Sequence, residues 1–264
     1  MLPPGKDQPM SNLHSSLSPA TALQSLALLA IGRTGADIER LVREVRQQAR
    51  RDRRELTWSD IEQALGAQRM LMSDNLRWRV SVHETGHAMA WTLLKIGDVE
   101  SVTLGLGDVG QVTVNRYRHL PQTEIWLTKT MAAILAGRVA EMLVVSEVLA
   151  GSGAGPDSDL AKATGIALDA ETSLGFADHQ PLLYRASARG FDVLTLDREL
   201  ADRVNARLLA AETMARGLLE VHRAKLMAIA TRLNESQVMS GDEVRLLMGI
   251  DGDETGDGNG DARV

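Results

Sequence analysis

"SVHETGHAMAW", residues 81–91, decides how this chain is read. Two histidines, His83 and His87, stand four apart, with Glu84 directly after the first. On a helix, positions i and i+4 lie one above the other on one face. His83 and His87 therefore send two imidazoles toward one point, as two ligands of a single metal ion require. Glu84 lies about 100° round the helix axis from His83. There a carboxylate can hold a metal-bound water without ligating the metal, and act as general base. Zinc lowers the pKa of such a water to about 7 and polarises a scissile carbonyl as a Lewis acid.

The alternative is coincidence. At average residue usage, H-E-x-x-H arises in under about one chain in a hundred of this size. Val80, His83, His87 and Leu94 also share one stripe of the helix, so the histidines face inward. A buried pair of histidines beside a glutamate, with no metal, leaves polar groups that are hard to satisfy. Zinc is the expected cofactor.

Composition narrows the remaining classes. The chain has 264 residues, 44% hydrophobic and 24% charged, which suits a globular protein with a proper core. Aromatic residues make up 3%, so the core rests on Leu, Val, Ile, Ala and 11 Met. There is no Cys, which excludes disulfides and thiolate metal clusters and leaves His and carboxylates as the available ligands. The net charge of −6 argues against a general nucleic-acid surface. The basic run "RQQARRDRR", residues 46–54, reads as a solvated helix end. The longest apolar run, "ALQSLALLAI" at 22–31, is too short to span a bilayer. The N-terminus lacks the layout of a signal peptide. The expected location is cytoplasmic, or peripheral to a membrane through a partner.

Along the chain, residues 1–19 read as a flexible lead-in rich in Pro, Ser and Gly. Helices follow to about residue 66, with capping boxes at "TGAD" (34–37) and "TWSD" (57–60). After a polar junction near 72–75, a long helix is expected over 76–96. The Val/Thr alternation around glycines in 99–121 predicts a β-hairpin or small sheet. A second long apolar helix is expected over 124–149, and a third from Asp159 to Leu174, ended by Gly175. Amphipathic helices fill 197–234, and "SGDE" at 240–243 caps a last short one. Residues 251–264 read as a disordered acidic tail.

Two histidines leave a catalytic zinc one protein ligand short. The metzincin extension fails, because Ala90 and Leu93 stand where its Gly and third His would be. The candidates are Glu141, a charge on an otherwise apolar helix, and Asp159, which opens "DLAKATGIALDA" and shares an inner stripe with Ala163 and Ile166. Asp159 also has the plainer role of a helix-dipole partner. Spacing alone does not choose between them.

Taken together, "HETGHA", "LAGRVAEML" and "GSGAGPDSDLAKAT", in this order, resemble the peptidase domain of the FtsH family of AAA+ zinc metalloproteases. "SLGFADHQPLLY", the helices of 197–236 and "SGDEVRLLM" resemble its later segments, and residues 34–65 resemble the end of its AAA+ lid. The likeness covers about residues 21–248. It implies a mainly α fold: a helical zincin-like peptidase domain over 76–250 with a small β-hairpin or sheet, preceded by lid-like helices over 20–66. It implies His83, His87 and Asp159 as zinc ligands and Glu84 as the base, with Glu141 supporting the site from outside the ligand set.

The departures shape the functional expectation. Thr85 replaces the usual Ala inside the motif, and Met142 replaces a second acid after Glu141. No G-x-x-x-x-G-K-[ST] stands in the 264 residues, and "GKD" at 5–7 does not substitute for it. No counterpart of the family's transmembrane segments is present. The resemblance thus implies a zinc metalloendopeptidase acting on unfolded or flexible proteins, without its own motor. A homo-oligomer, hexameric by analogy, and an AAA+ ATPase partner are the implied assemblies. The competing expectation is a non-catalytic module that joins an AAA+ partner through its lid-like helices. Retention of His83, Glu84, His87 and Asp159 together favours the enzyme.

Overall fold

The computed structural model describes residues 23, 26–30, 33–66, 70–105, 109–185 and 190–250. The expected lead-in and acidic tail lie outside the described residues. The chain divides between Met70 and Leu71 into two compact units.

The first unit is built on two helices, α1 (Gly35–Arg51) and α2 (Trp58–Gly66). Thr34 caps α1: its hydroxyl accepts from the Asp37 N–H, and the Asp37 carboxylate accepts from the Thr34 N–H. Thr57 and Asp60 repeat the exchange at α2. The Arg54 guanidinium donates two bonds to Asp60, at 2.7 and 2.8 Å, closing the connection between the helices. The apolar faces meet in a small core of Leu26, Leu41 and Leu65. Arg33 ties into it by donating to the Leu65 carbonyl at 2.8 Å.

The second unit holds the main core. Its centre is α3 (Asp74–Leu94), capped by Ser73. From Val80 to Trp91 every residue except His83 is buried, so this helix is enclosed on nearly all sides. It ends two residues before the expected boundary, where Lys95 takes a left-handed conformation. The chain then enters β1 (Gly97–Leu104) and returns antiparallel as β2 (Gly110–Arg116), with Val102 opposite Val112. Val and Thr supply the β-branched side chains that suit a half-buried sheet. A third strand, β3 (Val238–Ser240), pairs with the other side of β1, giving the order β2-β1-β3. The expected hairpin is thus two strands of a three-stranded sheet, and β2 is an edge.

Helix α4 (Glu124–Val144) crosses α3, followed by α5 (Asp159–Thr172), the single turn α6 (Val193–Leu196), α7 (Arg198–Val221), α8 (Arg223–Ser236) and α9 (Gly241–Met248). The fold is mainly α with one small antiparallel sheet. No helix among the described residues is long and apolar enough to cross a membrane. Helix α4 stops five residues short of the expected Leu149. The apolar pattern of "VVSEVL" continues, but Ser146 adopts φ 61°, and the Glu141 carboxylate accepts from the Leu149 N–H at 2.6 Å. That side-chain bond folds the segment back onto the helix it would have extended.

The far end of α5 is clamped by charge. Buried Glu171 accepts from Arg203 at 2.9 Å and Arg207 at 2.6 Å, both on α7. Arg207 also donates to Glu124 at the start of α4 and to the Phe176 carbonyl. One guanidinium therefore joins three helices and the loop after α5.

Helices α3 and α4 approach most closely at Gly86. A Cβ there would lie 2.4 Å from the Ala136 carbonyl oxygen and 2.7 Å from the Ala140 Cβ. Glycine costs a helix interior about 1 kcal/mol relative to alanine. Overpacking against backbone that cannot yield costs about 1–3 kcal/mol, so the clash outweighs the propensity gain. Gly86→Ala is expected to lower the thermal midpoint of the protein, measured by calorimetry. An unchanged or raised midpoint would show that the helices have room to separate.

Candidate metal centre

Each element at the crossing contributes one part of the site. Helix α3 supplies His83 and His87 from successive turns. Their rings stand edge to face, with centroids 4.6 Å apart. Helix α5 supplies Asp159 from its first position, fixed by Ser158, whose hydroxyl caps the helix by accepting from the Ala161 N–H. The His83 Nε2 and His87 Nε2 lie 2.9 Å apart, and the Asp159 Oδ2 lies 3.1 and 3.2 Å from them. These are the three residues among the described ones that form a group positioned to hold a metal ion.

The opposite ring nitrogens fix the direction in which the lone pairs point. His87 Nδ1 lies 2.9 Å from the Ala133 carbonyl oxygen, which can only accept, so Nδ1 carries the proton. His83 Nδ1 lies 2.5 Å from the Glu141 Oε1. Imidazoles held this way would, once neutral, turn both Nε2 lone pairs toward Asp159. This is the donor arrangement of a carboxylate–histidine–metal site. Four-coordinate zinc with bonds of about 2.0–2.2 Å needs ligand atoms roughly 3.3–3.5 Å apart. The observed triangle is smaller by a few tenths of an ångström, so an ion fits after a slight expansion.

Glu141 is fully buried, and both its oxygens are used, one on His83 and one on the Leu149 N–H. The sequence left the third acid open between Glu141 and Asp159. In the structure Asp159 meets the Nε2 face, while Glu141 meets the opposite nitrogen and orients the ring. Glu84 is also buried and lines the same cleft. An ideal Cβ on Gly110 of β2 would fall 2.5 Å from the Glu84 Oε1, which places the start of β2 directly over this carboxylate.

The electrostatics of the cluster favour positive charge. Burial lowers the pKa of His83, but the Asp159 and Glu141 carboxylates override it and push the imidazolium up to about 10. Burial raises Asp159, yet His83 and His87 hold it well below the usual carboxylate range. The site opens into a cleft of about 760 Å³, whose walls include Val80, Trp91, Val112, Val114 and Ile134.

One residue of the site escaped the sequence reading. Gly137 lies in α4 within "LAGRVAEML", and a Cβ there would stand 2.5 Å from His87 Nε2 and 2.6 Å from His83 Nε2. The position forms the floor beneath the convergent nitrogens. The signal was in the sequence, as a glycine inside a long apolar helix, but its partner atoms were not.

The helical unit, with paired histidines on its central helix and a converging aspartate, presents a group positioned to hold a metal ion, as a metallopeptidase domain would. The chain belongs to peptidase family M41, whose sequence model matches residues 70–247. It is 34% identical over 249 residues to the ATP-dependent zinc metalloprotease FtsH 1 of Symbiobacterium thermophilum, covering 88% of this chain and 40% of that protein. The ATP-dependent zinc metalloprotease FtsH of Streptobacillus moniliformis is 30% identical over 258 residues, covering 89% of this chain and 36% of that protein. That of Hahella chejuensis is 29% identical over 251 residues, covering 86% and 40%. The chain thus spans about two fifths of the length of these curated relatives.

Filling the floor tests the geometry. Gly137→Ala is expected to remove stoichiometric metal binding, measured by elemental analysis of the purified protein, while its helical circular dichroism persists. Retained binding would show that the nitrogens converge elsewhere.

Proposed function

We propose that this chain is a zinc-dependent metalloendopeptidase that hydrolyses peptide bonds in unfolded or flexible polypeptides. The observation that carries the reading is the convergence of His83 Nε2, His87 Nε2 and Asp159 Oδ2, with Glu84 beside them on the same helix. His83, His87 and Asp159 are the proposed ligands. Zinc bound there supplies Lewis acidity toward the scissile carbonyl and makes water acidic enough to attack at neutral pH.

The remaining steps belong to the chain's own residues. Glu84 accepts a proton from the attacking water as its oxygen bonds to the carbonyl carbon. The same carboxylate then returns that proton to the amine nitrogen as the C–N bond breaks. Glu84 is buried but lines the cleft, where its carboxylate can meet that water. Glu141 and the Ala133 carbonyl hold the His83 and His87 rings in the ligating tautomer. The free edge of β2 can take an extended peptide as an added strand, running it across Glu84. A substrate must reach that edge as extended chain, which favours unfolded polypeptide.

The relatives are named ATP-dependent, and this chain spans about two fifths of their length. Delivery of folded substrates by an AAA+ ATPase partner, engaged through lid-like helices in residues 20–66, is part of the same proposal. A hexameric ring is the proposed assembly, and the cytoplasm, or a membrane surface reached through the partner, the proposed location. The compact first unit, with its own small core, supports a separate docking element.

Zinc content and cleavage of an unfolded protein such as casein test the enzyme reading together. The wild type is expected to hold about one zinc per chain and to cleave casein without ATP. Glu84→Gln is expected to keep its zinc and lose cleavage by at least about 10²-fold, the scale of a general base. A chelator should abolish cleavage and lower the melting temperature, because an ion bound only by the folded state stabilises it. Absence of zinc from the wild type would overturn the assignment and leave the docking module.

A further inference from the structure

One end of the cleft carries a pair of side chains that peptide hydrolysis does not itself require. Trp91 follows His87 by four residues on α3, so His83, His87 and Trp91 stand one turn apart along one face. The Trp91 indole is 6% exposed and lines the cleft beyond the histidines. The Arg116 guanidinium covers its face, with Cζ 5.3 Å from the ring centroid. Arg116 is the last residue of β2, lies in register with Gly97, is itself exposed and lines the same cleft. Among the described residues, no carboxylate forms an ion pair with it.

A cation–π contact holds a guanidinium over a ring without using its N–H donors. Those donors remain at the edge of the fork, in the geometry that grips a carboxylate with two parallel bonds. The charges along the cleft are also ordered. Glu84, Glu141 and Asp159 crowd the metal end, so an acidic substrate side chain is repelled there and attracted at Arg116. The cleft therefore reads the position of a negative charge along an extended peptide, as well as its presence. Gly110, the first residue of β2, lies over Glu84 and Arg116 is the last, so an extended chain along this edge meets the guanidinium at a fixed place to one side of the bond that is cut.

We propose that Arg116, lying over Trp91, is a specificity-determining residue that selects peptide substrates with an acidic side chain at one fixed position to one side of the scissile bond. The inference rests on the peptidase reading above. Its test uses binding, so that the two can fail separately. The zinc-loaded Glu84→Gln chain is titrated by fluorescence anisotropy with labelled peptides in which a single Glu or Gln is stepped through six positions.

One position is expected to bind Glu about tenfold more tightly than Gln, the scale of a hydrogen bond to a charged group. In the same background, Arg116→Ala is expected to erase that preference with zinc content unchanged, and Arg116→Glu to turn it toward Lys. Lys162→Ala, which removes the other cation lining the cleft, is expected to leave the position dependence in place. Equal Glu and Gln affinities at every position would overturn the proposal, as would a preference that survives Arg116→Ala or is lost equally in Lys162→Ala. If the preference appears but the wild type cleaves none of the peptides, the subsite stands and the peptidase assignment falls. Cleavage without any preference removes the subsite alone.

Discussion

Helices α3 and α4 cross with almost nothing between them, and the rest of the site follows from that contact. At Gly86 the backbone of one helix rests on the Ala136 carbonyl of the other, and at Gly137 the reverse helix offers bare backbone to the two histidines. A side chain at either position would push the axes apart. Separation would draw the Ala133 carbonyl away from His87 Nδ1 and Glu141 away from His83 Nδ1, since both acceptors ride on α4. The histidines would keep their spacing on α3 but lose the groups that aim them. The motif supplies two imidazoles; the crossing supplies their direction.

The carboxylate that meets them depends on a different constraint. Asp159 begins α5, which reaches the site by its N-terminus and is fixed at its other end by the Glu171 clamp to Arg203 and Arg207. A buried carboxylate such as Glu171 is costly without partners. Two guanidiniums meeting it at 2.6 and 2.9 Å leave the helix little freedom to rotate. Arg207 also joins Glu124 at the start of α4, so the helices carrying Asp159 and Glu141 share an anchor away from the His83–His87–Asp159 cluster. Asp159 and Glu141 are thus positioned by contacts at both ends of their helices.

What the sequence made legible was what local geometry determines. Two histidines four apart, the capping boxes at Thr34 and Thr57, and the Val/Thr alternation of the hairpin each need only a few neighbouring residues. The end of α4 did not follow that rule, because it is set by Glu141 reaching the Leu149 N–H after the helix has stopped. β3 was hidden for a similar reason. Three residues carry no usable periodicity, and their pairing partner in β1 lies more than 130 residues earlier. The choice between Glu141 and Asp159 required knowing which imidazole nitrogen each carboxylate faces. Family resemblance pointed to Asp159, but the geometric reason lies in how α4 and α5 pack against α3.

Thr85, the mild departure inside the motif, has a physical cost that its position made invisible. Its hydroxyl is fully buried on α3 and has no hydrogen-bond partner among the described residues. An unsatisfied buried hydroxyl costs about 1–3 kcal/mol. Gly86, the next residue, adds about 1 kcal/mol, the cost of a glycine in a helix interior relative to alanine. Two adjacent positions between His83 and His87 thus carry a local cost to the helix. The offset comes from the core around them: Val82, Ala88, Met89 and Ala90 are fully buried on the same helix. A helix buried on nearly every side can hold both costs where a surface helix would unwind, which is why the histidines sit on α3 and the acids arrive from the helices packed against it.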